Sequence, residues 1–185
     1  MKTYLETSEK NTNPTLLMAL EKSLELKCPI VLASTTGAIA LAMNELIKQT
    51  SHPYPLIIVS HVCGFKEGIL NEFDDTIKQQ LKTEGIPLVM ATHALSAGER
   101  SLSKTLGGVY PLEIVANTLR MFSQGIKVCV EISLMACDAG HVLENETIIA
   151  IGGTGRGADS ACVITAHPSP RMLSLNIQEI LCMPR

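Results

Sequence analysis

Ser34, Thr35, Thr36 and Gly37 set three hydroxyls and a glycine in a row, between an apolar run and a stretch at helical spacing. Hydroxyls beside the free N–H groups of a helix start, with the helix dipole behind them, form a cradle for an anion. Gly37 would let a phosphate approach the backbone. The same residue types are also preferred helix caps, so a cap without a ligand is the competing reading. "GGTGRGAD" (152–159) is a second such place. Gly153, Gly155 and Gly157 can turn backbone N–H groups toward an anion, while Thr154 adds a hydroxyl and Arg156 a planar fork of donors. A plain hairpin turn is the alternative there. The spacing nearly fits a dinucleotide fingerprint, but a strand rather than a helix follows, which discards it.

His61 and His93 each close an apolar run. A histidine in that position can orient a ligand or exchange a proton near neutral pH, and His61 is the candidate acid/base. For His93, bonding to loop carbonyls is the preferred reading. Gly64 and Phe65, in "CGFKEG", offer an aromatic ring that can close over a ligand ring or simply pack locally. Glu131 reads equally as a buried carboxylate or an exposed helical residue. His52, His141 and His167 lie in loops and carry no functional reading.

These residues need elements to hold them. "NTNPTLLMALEKSLELK" predicts a helix capped by Asn13, with Leu16, Leu17, Leu20 and Leu24 on one face. Strands follow at 29–33, 55–61 and 86–93, alternating with helices near 37–48 and 71–83, the latter capped by Asn71. The strands are uniformly apolar, as in a central parallel sheet. The 17-residue stretch after His93 is long for a loop unless it is functional or carries a short helix. "PLEIVANTLRMFSQG" predicts a helix from Pro111 to Gly125, with Leu112, Val115, Leu119 and Phe122 inward. In residues 126–140 "IKVCVE" alone suggests a strand, but the 3.6-residue period kept to the end predicts a helix. Strands at 147–153 and 160–166 are only about six residues apart, too close for a parallel crossover, so they form an antiparallel hairpin. "LSLNIQEILCMP" alternates as a final edge strand. The result is one three-layer α/β domain over residues 1–185 with a mostly parallel sheet.

The 185 residues are 46% hydrophobic and 18% charged, with a net charge of −3 and a mean hydropathy of +0.24. Such a sparsely charged surface predicts a homo-oligomer, as does the apolar final strand. The absence of a basic cluster and of tryptophan argues against nucleic acid. The six cysteines have no zinc spacing, so no metal is expected and all six should be reduced. No run approaches the roughly 18 apolar residues of a membrane span. The polar amino terminus lacks a signal sequence, and a cytoplasmic location is expected.

"ASTTGAIA" and "IGGTGRGADSACVI" resemble the first phosphate loop and the closing hairpin of the carboxyl-terminal domain of pyruvate kinase. With "SH" (60–61), "GF" (64–65), "NEF" (71–73), "LRMF" (119–122) and "DAG" (138–140), the chain resembles stand-alone archaeal and bacterial proteins of that type along nearly its whole length. The resemblance implies a sheet of order 3-2-1-4-5 with strand 5 antiparallel, and an extra edge strand near the carboxyl end. It also implies a phosphorylated ligand, flavin mononucleotide (FMN) or a related compound. It excludes pyruvate kinase activity, because the catalytic barrel of that enzyme has no counterpart here. Given that order, the two anion loops leave neighbouring strands, with roots roughly 5 Å apart, where the strand order reverses and open α/β sheets bind ligands. A flavin-dependent oxidoreductase, a hydrolase or lyase of a phosphorylated metabolite, and a scaffold with a vestigial loop are the alternatives.

Overall fold

The computed structural model describes residues 1–7 and 9–185. In chain order the elements are β1 (Lys2–Tyr4), α1 (Thr12–Leu26), β2 (Ile30–Ala33), α2 (Ala38–Thr50), β3 (Leu56–Ser60), α3 (Asp75–Thr83), β4 (Leu88–Met90), α4 (Ala97–Leu106), α5 (Pro111–Arg120), α6 (Gln124–Asp138), β5 (Thr147–Gly152), β6 (Ser160–Thr165) and β7 (Asn176–Pro184). The sheet runs β1-β7-β6-β5-β2-β3-β4. Strands β4, β3, β2 and β5 are parallel, and β6 is antiparallel to both β5 and β7. The expected 3-2-1-4-5 core is therefore present, with β2 as its first strand. The strand near the carboxyl end joins beyond β6, and β1 pairs along its outer side, so β7 is not the outermost strand.

Side chains alternate across the sheet because the strand period is two. Ile30, Leu32, Ile58, Ile149 and Ile151 face the layer of α1, α2 and α3. Val31, Ile57, Val59, Ile148 and Ala150 face α6. Helix α5 and Leu95, just ahead of α4, pack on the outer side of α6 against Val130 and Leu134, and α4 rests on α5. Sheet on one side and α5 on the other explain why α6 is apolar nearly all round, as a fully covered helix must be. Its start is closed by Ser123, whose Oγ accepts from the N–H of Ile126 at 3.0 Å.

Several local expectations are corrected. Helix α1 begins at Thr12, so Asn13 lies inside its first turn. Its buried stripe is Thr15, Leu16, Ala19, Leu20 and Ser23, whereas Leu17 and Leu24 are exposed. Asp74, not Asn71, caps α3, accepting from Thr76 and Ile77 at 2.8 and 3.0 Å. Helix α5 ends at Arg120, leaving Phe122 exposed, and Gly125 opens α6 rather than closing α5. A Cβ at Gly125 would lie 2.2 Å from Ser160 Oγ, and one at Gly152 would lie 2.4 Å from the Gly125 carbonyl oxygen. Glycine at both positions lets the start of α6 rest on the ends of β5 and β6. Among the described residues no helix is long and apolar enough to cross a membrane.

Candidate functional site

Strands β2 and β5 pair in parallel, with Leu32 opposite Ile151, and the order reverses between them. The loops at 34–37 and 152–159 leave their carboxyl ends side by side. In the first, the Ser34 N–H donates to the Val59 carbonyl at 2.9 Å. Ser34 Oγ accepts from Gly37 and Ala40 N–H groups at 3.2 and 3.4 Å, so this hydroxyl does serve as the cap of α2. The hydroxyls of Thr35 and Thr36, and the N–H groups of Thr35, Thr36, Ala38 and Ile39, have no partner among the described residues. Gly37 takes φ +96°, and a Cβ there would come within 2.9 Å of Phe73 and 3.0 Å of Ile77. Its bare face is thus turned toward α3, and its glycine character serves the turn and that packing. In the second loop, Thr12 Oγ1 accepts from the Ala158 N–H at 3.0 Å, tying the glycine turn to the start of α1. Arg156 is exposed and makes no ion pair among the described residues.

The rim continues onto β3. Ser60 Oγ donates to the Thr35 carbonyl at 3.3 Å, which sets His61 beside the threonines. The rings of His61, Phe65 and His93 cluster, with centroids 4.3 Å (His61–Phe65), 5.2 Å (His61–His93) and 5.1 Å (Phe65–His93) apart. His61 Nδ1 faces Glu72 Oε2 at 3.5 Å, and both atoms are buried without a closer partner. Lys66 bonds the other oxygen of that carboxylate and holds Glu72 below the usual carboxylate range. On α6, Lys127 and Glu131 form an ion pair one turn apart, with side chains 5% and 7% exposed. Glu131 Oε1 also accepts from the Leu95 N–H at 3.1 Å. Burial pushes the Lys127 ammonium down, against the pull of Glu131. Burial likewise lowers His93, with Glu131 opposing. All of these groups border one cavity of about 860 Å³.

The family model described as pyruvate kinase, alpha/beta domain, matches residues 15–164. The chain belongs to that family. In this pyruvate kinase alpha/beta domain the matched residues span both loops and the whole of α6, while β1 and β7 lie outside the match.

Ser34, Thr35, Thr36, His61, Phe65, His93, Gly153, Gly155, Arg156 and Gly157 all reach the cavity wall of the domain. Gly37, Gly64 and Thr154 stand behind it. Gly64 takes φ +73° in a turn where its N–H donates to the Leu70 carbonyl at 2.8 Å, and Thr154 Oγ1 is buried without a partner. Glu131, left open from sequence, is buried. Arg100, Arg120, Lys127, Lys66 and Glu72 also line the cavity and were not foreseen. A lysine and a glutamate four residues apart inside an otherwise apolar helix was the available signal for Lys127 and Glu131.

Proposed function

We propose that this domain binds a small phosphorylated ligand in the cavity between β2 and β5, with FMN as the first candidate. One observation carries the reading: the donors of Thr35, Thr36, Ala38 and Ile39, unpartnered among the described residues, stand beside a glycine turn bearing Arg156, which makes no ion pair among them. A phosphate there gains charge-assisted bonds and the dipole of α2. The cavity falls within the roughly 300–1,000 Å³ of small-molecule sites. The rings of His61, Phe65 and His93 suit the planar part of the ligand. The donor set fits FMN: Thr35, Thr36 and Arg156 hold its phosphate and the ring cluster meets its ring system. A bound flavin supplies hydride and electron transfer. A second reading, proton transfer by His61, is favoured by the facing, otherwise unpartnered Nδ1 of His61 and Oε2 of Glu72. The carboxylate then directs one ring nitrogen and leaves the other for the cavity.

The absorption spectrum of the purified protein and its binding of FMN against riboflavin test the proposal. FMN should bind at least tenfold more tightly than riboflavin, and Thr35→Val/Thr36→Val should remove at least that factor, about 1.4 kcal/mol. Equal affinity for the two flavins overturns the phosphate reading of the threonines. Self-association belongs to the same proposal. Its original support from the final strand is gone, since Leu181 and Cys182 are buried within the sheet. The exposed Leu106, Val109, Met121 and Phe122 along α4 and α5 now support it. Sedimentation at micromolar concentration should give a species heavier than 19.9 kDa.

A further inference from the structure

We infer that the cavity contains a second anion-binding subsite, built by Arg100 and Arg120, for a carboxylate or phosphate group other than the one at Thr35 and Thr36. The Arg100 guanidinium makes no hydrogen bond or ion pair among the described residues. Arg120 donates only to neutral oxygens, Gln124 Oε1 at 2.7 Å and Asn117 Oδ1 at 2.9 Å, which orient its fork and leave its charge unbalanced. Both arginines border the main cavity and also a recess of about 240 Å³ that opens beside Ser96 and Asn117.

The nearby carboxylates are otherwise engaged. Glu131 pairs with Lys127. Glu113 accepts from Ser103 Oγ at 2.6 Å, and Glu99 accepts from the Leu112 N–H at 2.8 Å. The arginines act on Lys127 as well, both adding to the depression of its ammonium. Glu113 also lines the recess, so Arg100, Arg120 and Lys127 stand against two carboxylates, Glu113 and Glu131. A planar guanidinium fork beside a hydroxyl and an amide is a geometry that receives carboxylate or phosphate oxygens. Arg100 stands on the helix that follows β4, two strands from β2 in the sheet, and the subsite shares no side chain with Thr35, Thr36 and Arg156. The second anion is therefore either a distal group of the same ligand or a separate acidic co-substrate.

Inorganic phosphate titrated into the full chain, followed by the Nε–H resonances of Arg100 and Arg120 and by the Ser96 amide, tests this. Saturable shifts are expected, and they should persist in Thr35→Val/Thr36→Val/Arg156→Gln. In Arg100→Gln/Arg120→Gln the Ser96 response should weaken at least tenfold; both arginines are exposed, so these variants keep the fold. Absence of a saturable shift, or its loss in the loop variant, overturns the subsite. FMN binding that survives the loop variant and fails in the arginine variant would defeat the loop reading and uphold this one. Phosphate adding to FMN-saturated protein points to a separate molecule. One equivalent of a sugar bisphosphate shifting both sets of resonances points to a single ligand, and either result upholds the subsite.

Discussion

Lys127 and Glu131 bury opposite charges against the sheet side of the cavity. Removing one partner leaves the other charge in a poorly solvated place, which costs about 3–5 kcal/mol. Lys127→Met should lower the urea midpoint accordingly, and Lys127→Met/Glu131→Gln should recover much of the loss, because glutamine still accepts from the Leu95 N–H. At Gly37 the cause is steric. A methyl group there would meet Phe73 and Ile77 at φ +96°, so Gly37→Ala should cost about 1–3 kcal/mol by denaturant unfolding. Residues on the two loops were legible because hydroxyls and glycines at a strand end have few structural reasons to cluster. Arg100 and Arg120 were not, since a charged residue on an amphipathic helix reads as its solvent face. Only the packing of α5 onto α6, and of α4 onto α5, turns those charges toward the cavity.

At the level of elements, the strands that cross the core were readable as unbroken apolar runs, and α6 as a helix from its period. The stripe of α1 was misread because its buried face carries Thr15, Ala19 and Ser23 where it lies close to the sheet, so hydrophobicity and burial part company. The join of α5 and α6 was misread because Gly125 serves close approach and not a helix end. Strand β1 has three residues and no period to detect. The connection between β3 and α3 carries Phe65, Lys66 and Glu72, and it is anchored by the Asp74 N–H donating to the Thr36 carbonyl at 3.0 Å. Between these ends it is exposed and bonded mostly to itself, with Gly64 to Leu70 and Ile69 to Lys66. Such segments open at low cost. Trypsin should cut after Lys66, and FMN should slow that cut several-fold. Unchanged cleavage in saturating FMN would separate Phe65 from ligand binding.

Across the whole molecule, two histidines at opposite ends of the sheet are held neutral by burial. His93 lies on the cavity rim, and His52 lies under α1, where its Nε2 contacts Ser23 Oγ at 2.9 Å and its Nδ1 has no partner. Both are lowered from the ordinary value of 6.5, chiefly by burial. Below that value the unfolded chain binds protons that the native chain resists. Stability is therefore complete above pH 6.5 and falls as the pH drops through the lower native values. Urea midpoints at about pH 7.5 and pH 5.5 should show the loss, and His52→Gln should reduce it. A midpoint that holds steady over that window would mean that neither ring is protected.

The pairing of Lys2–Tyr4 with Cys182–Pro184 has a consequence for how the protein is made. Tyr4 is buried, its hydroxyl bonds Thr15 Oγ1 at 2.9 Å, and its carbonyl accepts from the Arg185 N–H at 3.0 Å. A ribosome adding roughly 5–20 residues per second needs on the order of 10–40 s between those two strands. For all that time Lys2–Tyr4 lack the strand they pair with. Strand β1 is thus made long before the strand beside which it finds its place.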